Sequence, residues 1–249
     1  MRGHLAAGPQ RPSDARPTST LTLAPCYTGV KANRTARKGP LLNRLSTLGV
    51  DEAVLDEAVR CLQSGGLVAF PTDTLYGLAA VASQDRAVER LFAAKERPRD
   101  RPLPVLVASV ADVDGLAIGV SAAARRLMEA FWPGGLTLVL RRHPRFHSLA
   151  LAGGDTVAVR VPAHPIALEL LRRVGEALTG TSANLSGKPA PRTAGEVRRG
   201  LGDRVDLIVD GGACPGGVES TVVDCTVDPP RVLREGAVPA ARIAAFRRW

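Results

Sequence analysis

The chain has 249 residues, enough for one α/β domain of about 200 residues or at most two small ones. Hydrophobic residues make up 45 % and aromatics 4 %, so the core is built from Val, Leu, Ala and Ile, and no apolar stretch of about 18 residues argues for a membrane span. The formal charge is +9, but eight basic side chains against one acid, Asp14, place +7 of it in the first fifty residues, so net charge alone does not argue for a nucleic-acid surface.

Residues 1–45 are rich in Pro, Gly, Arg, Ser and Thr without a sustained apolar period, and they read as disordered. The Arg-rich, acid-poor start resembles an organelle transit peptide, with a later translation start near Val50 as the alternative. Residues 1–48 are therefore set apart as a basic extension, and 49–249 as one domain. Order begins near Val50. Val54, Leu55, Ala58, Val59 and Leu62 recur at helical spacing within Asp51–Ser64, and Gly65-Gly66 stops the helix. Leu67–Phe70 predicts a short buried strand, and Leu75–Val81 a second apolar run. Ala87, Val88, Leu91 and Phe92 mark a helix ending near Lys95. Pro104–Ala108 is a strand, and Ser121 caps a helix through Phe131.

Leu136–Leu140 and Thr156–Val161 are strands, and Pro165–Val174 is a helix with Pro in its first turn. Ala177–Thr181 is a short strand, Thr193–Gly200 a helix and Val205–Val209 a buried strand. Ser220–Thr226 and Arg231–Arg234 close the sheet, and Pro239–Arg247 is a terminal helix. Several strands are consecutive. The predicted fold is thus α/β with a twisted, mixed, open sheet flanked by helices, rather than regular βαβ units.

Five polar segments interrupt this pattern. Pro71–Leu78 (PTDTLYGL) clusters two hydroxyls and a carboxylate between apolar runs, as a polar turn or as a pocket floor. Lys95 and Arg97 lie two apart at a helix end, either on a solvated charge run or aimed at one anion. Arg160 stands in an apolar strand on the face of Thr156 and Ala158, and so requires an acidic partner or an anionic ligand. Thr179–Gly187 (TGTSANLSG) is a turn, or a place where backbone approaches a ligand closely with Ser182 and Asn184 beside it. Ser220 opens one strand and Arg234 ends the next, which places both over one cleft. The loop 211–217 is a candidate mobile segment.

The sequence has no GxxxxGK[ST], no strand-linked GxGxxG, no GxSxG and no HExxH. Cys26, Cys61, Cys214 and Cys225 lack CxxC spacing, and they read as reduced thiols of a cytoplasmic protein without a zinc site. His4, His143, His147 and His164 show no ligand spacing, and His164 reads as opening a helix. What remains is a set of hydroxyls and cations suited to binding carboxylate and phosphate together.

PTDTLYGL, KER with a following PL, WPGGLTLVL, DTVAVRVP, TSANLSG, ESTVVD and VLREG occur in this order. Together they resemble the YrdC-like family of threonylcarbamoyl-AMP synthases over roughly residues 52–246. The resemblance implies a central concave cavity that is lined with positive charge. It implies L-threonine, bicarbonate or CO2, and ATP as substrates, with Mg2+ arriving on ATP rather than at a metal site of the protein. The family's Lys-x-Arg and Ser-x-Asn signatures match Lys95, Arg97, Ser182 and Asn184, as catalytic groups. Its threonine positions match Thr72, Arg160, Gly180 and Ser220, and its ATP positions match Lys95, Thr156, Ser182 and Arg234. Arg160 would then anchor the threonine carboxylate.

The implied chemistry needs no protein nucleophile. The threonine amine forms a carbamate, whose oxygen attacks the α-phosphate of ATP and expels pyrophosphate. A separate tRNA threonylcarbamoyl transferase would collect the product. The sequence departs from the family pattern at Ala190, where a Ser is common, and at Arg234-Glu235-Gly236, where Arg-Pro-Gly is common. The chain resembles the short, single-domain form. An RNA- or ribosome-binding protein using the same basic cavity is the alternative, although interleaved aromatics are lacking. A carbamoyl-transfer module of hydrogenase maturation is a further one, which would bring acylphosphatase and zinc-finger regions.

Overall fold

Each helix start carries its own local signal. Asp51 Oδ1 accepts the Ala53 N–H at the head of α1 (Glu52–Gln63). Ser121 Oγ accepts the Ala124 N–H at the head of the helix Ala122–Phe131. Thr193 and Glu196 form a reciprocal capping box on the helix Ala194–Leu201. The structure, a computed structural model, describes residues 50–246. The basic extension 1–48, Cys26 and Arg247 lie outside the described residues.

In chain order the remaining elements are β1 (Val68–Phe70), β2 (Gly77–Ala79), α2 (Asp85–Ala94), β3 (Val105–Leu106) and β4 (Ala117–Ile118). The helix Ala122–Phe131 is α3, followed by β5 (Leu136–Arg142), β6 (Thr156–Arg160), α4 (Pro165–Val174), β7 (Leu178–Thr179) and β8 (Thr181–Ser182). The helix Ala194–Leu201 is α5, followed by β9 (Leu207–Ile208), β10 (Thr221–Asp224), β11 (Arg231–Arg234) and α6 (Ala240–Ala244). Short 3-10 turns occupy Val110–Gly115, Leu149–Leu151 and Gly202–Arg204. No described helix is long and apolar enough to cross a membrane.

The strands form two open, mixed sheets rather than one. The smaller has the order β8-β2-β1-β9, and the larger the order β11-β10-β5-β6-β3-β7 with β4 on β5. The expected strand Ala177–Thr181 is the place where they part. Leu178 and Thr179 pair with β3, whereas Thr181 and Ser182 pair with β2. Gly180 makes the crossing, its N–H held by the Pro104 carbonyl at 2.8 Å. A Cβ at this position would lie 2.6 Å from Leu106 Cγ, so only glycine fits without displacing the buried Leu106 side chain.

Alternation along the strands sets the layers. Val68 and Phe70 of β1 pack with Leu55, Leu62, Leu170 and Leu171 of α1 and α4. Ala69 points the other way, to Leu91 of α2 and Val197 of α5. In the larger sheet Leu136, Leu138, Leu140, Val157 and Val159 bury one face against Leu127, Met128 and Phe131 of α3. The opposite face of β5 and β6 carries Thr137, Ala158 and Arg160. Burying the leucine, valine and phenylalanine side chains contributes about 1.5–3 kcal/mol each. That stabilisation holds a polar strip with an arginine in place between the two sheets.

Candidate functional site

The strip faces a cavity where both sheets end. Thr72 and Leu75 from the β1–β2 turn, Leu106, Gly180 and Ser182 line it, together with four charged side chains: Arg97, Arg160, Arg234 and Glu219. The cavity encloses about 160 Å³. A larger cleft of about 660 Å³ borders Val107, Ser109 and Leu171, but its charges are Arg172 against Asp112 and Glu176. Volume favours the cleft, whereas chemistry favours the cavity, because three guanidinium groups and several hydroxyls converge only there.

Arg160 is 7 % exposed. Its Nε donates to the Gly134 carbonyl at 2.8 Å, Nη1 to Thr74 Oγ1 at 3.0 Å and Nη2 to Asp73 Oδ1 at 2.7 Å. Three of its five N–H groups are therefore committed to protein, and two remain. The two sequence alternatives, ion pair or ligand anchor, are thus compatible. Burial pulls the guanidinium below its usual range, and Asp73 opposes the shift. Asp73 is fixed in turn by the Ala163 N–H at 2.9 Å. His164 stands just before α4 without a side-chain capping bond, and there burial lowers its imidazole while Asp73 again opposes.

The Thr72 hydroxyl borders the cavity but serves the polar turn: it donates to the Leu75 carbonyl at 2.7 Å and accepts the N–H groups of Thr74 and Leu75. Ser220 Oγ lies 2.8 Å from Thr137 Oγ1, so the residue just before β10 forms a hydroxyl pair with the neighbouring strand β5. Arg234 Nη2 donates to the Ser220 carbonyl at 2.8 Å, and Nη1 pairs with Glu219. Arg97 lies at the mouth, held by the carbonyls of Arg101 at 3.1 Å and Pro102 at 3.0 Å.

Three predicted residues stand outside the lining. Lys95 is 2 % exposed. Its Nζ donates to the carbonyls of Ser182 and Asn184, the latter at 2.7 Å, and reaches Asn184 Oδ1 at 3.4 Å. It therefore ties the Ser-x-Asn loop to the end of α2. Burial pushes its ammonium down to about 8, Arg97 adds to this and Glu219 opposes it. Asn184 Nδ2 donates to the Lys188 carbonyl, and the residue borders a separate hollow with Ala190 and Arg192. Thr156 pairs with Arg141 at the other end of β6 from Arg160, about 13 Å away at the rise of a strand.

Sequence reasoning quoted Asp73, Thr74, Gly134 and Glu219 only within motifs and assigned them no role. Their signal was adjacency: each neighbours a motif residue, and the fold turns that into contact. Of the two departures, Glu235 has a structural account. Its Oε1 accepts the Ala240 N–H at 2.9 Å, at the head of α6, away from the cavity cations. The loop 211–217 is tied down by the Tyr76 hydroxyl to the Gly212 carbonyl at 2.9 Å, Cys214 N–H to Arg192 at 2.8 Å and Gly217 N–H to Thr74 at 2.7 Å. Cys61, Cys214 and Cys225 are free thiols, and burial pushes Cys225 up to about 12. Among the described residues no group of three or more His, Cys, Asp or Glu side chains is placed to hold a metal ion.

Comparison with known proteins places the chain among its relatives. The chain is 43 % identical over 194 residues to a threonylcarbamoyl-AMP synthase of Pyrococcus abyssi, covering 78 % of this chain and 57 % of that protein. It is 46 % identical over 190 residues to a putative threonylcarbamoyl-AMP synthase of Mycobacterium tuberculosis, covering 75 % and 86 %. The crystal structure of Pyrococcus abyssi Sua5 complexed with L-threonine superposes with a TM-score of 0.77 at 43 % identity, over 79 % of this chain and 58 % of that one. The chain thus spans little more than half the length of its archaeal relative. The sequence model of the Sua5/YciO/YrdC family, described as telomere recombination, matches residues 60–236. With the motifs in register, the cavity at the junction of two open sheets and this match over most of its length, the chain belongs to the Sua5/YciO/YrdC family.

Proposed function

We propose that the chain is an L-threonylcarbamoyladenylate synthase, joining L-threonine, bicarbonate or CO2, and ATP with release of pyrophosphate. The observation that carries this reading is Arg160, buried, held from three sides and left with two N–H groups in a cavity that also presents Arg97 and Arg234. A guanidinium so fixed suits a planar carboxylate, which Lys matches poorly. The Ser220 hydroxyl lines the same cavity, backed by the buried Thr137 hydroxyl at 2.8 Å, and would meet the remainder of a small hydroxy-amino acid.

Arg97 and Arg234 take the phosphates, and Lys95 acts through the Ser182–Asn184 loop, which it holds against the nucleotide side. Catalysis then rests on positioning and on stabilising charge as pyrophosphate departs. Mg2+ fits this cavity only as a companion of ATP, because a single carboxylate, Glu219, lines it. The cation would neutralise phosphate charge, and among the described residues no cage of protein ligands surrounds the place. The product, a labile mixed anhydride, requires a downstream tRNA threonylcarbamoyl transferase, and a cytoplasmic setting follows from that partner.

The test is pyrophosphate release by the purified full chain with ATP, Mg2+ and bicarbonate, with and without L-threonine. Threonine-dependent release that serine and valine do not match supports the reading. Absence of such release from folded, ATP-binding protein refutes it, and RNA binding by the basic cavity then takes its place.

A further inference from the structure

We propose that Glu219 is the protein's contact to the divalent cation carried by the nucleotide, and that it makes nucleotide binding depend on that cation. The inference rests on the nucleotide reading above.

Among the described residues lining the cavity, Glu219 is the one carboxylate. It stands among the cations assigned to phosphate. Its side chain pairs with Arg234, and its charge favours the protonated forms of both Lys95 and Arg97. A residue wanted only for cationic binding would not be an acid here, since it lowers the attraction of all three cations for phosphate. Charges of opposite sign in the same place call for a ligand that itself carries both signs.

The backbone around Glu219 cannot retreat from an incoming anion. Its carbonyl accepts the Ala237 N–H at 2.8 Å. The chain at Gly236 passes so close that a Cβ there would lie 2.2 Å from the same carbonyl oxygen. The carboxylate is 45 % exposed and is held toward Arg234 by their ion pair. A bare triphosphate reaching Arg234 and Arg97 meets a fixed negative charge, and the repulsion weakens binding. A divalent cation between phosphate and carboxylate reverses the sign of that contact and leaves Arg234 free for phosphate. Mg2+ is commonly held in this way, by one or two carboxylates plus substrate phosphates with several waters retained.

The experiment is titration calorimetry of the full chain with ATP, once in Mg2+ and once in EDTA, for the native protein, Glu219→Gln and Arg234→Gln. The native protein is expected to bind on the order of tenfold or more tightly with Mg2+, whereas Glu219→Gln binds metal-free ATP more tightly and its ratio falls below about threefold. Arg234→Gln weakens both affinities and keeps the native ratio. An unchanged ratio in Glu219→Gln overturns the inference, whether or not the affinities fall, because Glu219 then merely supports Arg234. Failure of the native chain to bind ATP at all overturns the nucleotide reading and this inference with it.

Discussion

Replacing Arg160 by Met separates the two duties of this side chain. The change removes the partner of Asp73, whose side chain is only 17 % exposed. Breaking a buried pair from one side costs about 3–5 kcal/mol. The lower end applies here, because Asp73 keeps the Ala163 N–H and some contact with water. At about 2–4 °C per kcal/mol for a domain of this size, the midpoint of thermal unfolding falls by roughly 6–12 °C. The double variant Asp73→Asn/Arg160→Met no longer buries a lone charge and recovers most of that loss. Threonine recognition follows a different course. Two hydrogen bonds from a charged group to a carboxylate, each about 1.5–3 kcal/mol, disappear in both variants. Threonine-dependent kcat/KM therefore falls on the order of 10²-fold or more in each. The assays are thermal unfolding by circular dichroism and pyrophosphate release against threonine concentration. Return of threonine-dependent activity in the double variant, or a single variant melting within about 2 °C of the native protein, refutes this account of Arg160.

Four further outcomes, at three residues, follow from the same geometry. Lys95 titrates at about 8 in the fold against 10.5 for an ordinary lysine. Its charge is present below pH 8 and lost above it, so ATP affinity declines as pH rises through 8, and Lys95→Arg flattens that profile in calorimetry. The lowered value also means that the unfolded chain binds more protons between these two pH values, so this residue's contribution to stability rises with pH from about 8; urea unfolding of native protein and Lys95→Met at pH 7 and 9.5 measures the difference. Gly180→Ala drives a methyl group into Leu106 and costs about 1–3 kcal/mol in urea unfolding, and the double variant with Leu106→Ala loses less than the sum of the two single changes. Glu235→Ala removes the acceptor at the head of α6 and costs about 1 kcal/mol of stability, with pyrophosphate release unchanged; a loss of activity would place this carboxylate among the phosphates after all.

Helices were the most legible part of the fold, because their apolar period is local and several carry their own caps. Asp51, Ser121 and Thr193 mark starts that the structure keeps, and Pro165–Val174 is a helix over those same residues. The terminal helix is shorter than expected, Ala240–Ala244, among the described residues. Strand pairing was less legible. Ala177–Thr181 is continuous as a pattern, yet its residues serve two sheets, because pairing partners lie far away in sequence and only Gly180 permits the crossing. The short β4 and the three 3-10 turns left no periodic signal, since two to six residues are too few to show one.

The candidate site was legible as a set of segments, not as an arrangement. Residue types and their order along the chain were sufficient to name a family and to nominate Arg97, Arg160 and Arg234 as candidates for anion binding. They did not reveal that Thr72 spends its hydroxyl on its own turn, that Lys95 grips the Ser182–Asn184 loop, or that Thr156 lies at the other end of β6. Nor did they single out Asp73 or Glu219, which are unremarkable acids until strands bring Arg160 and Arg234 against them. A local pattern specifies what a residue is able to bond, because that follows from its own atoms and its immediate neighbours. Which bonds it makes is decided by the sheets, because burial removes water as a competing partner and leaves each polar group only those that the fold places within about 3 Å.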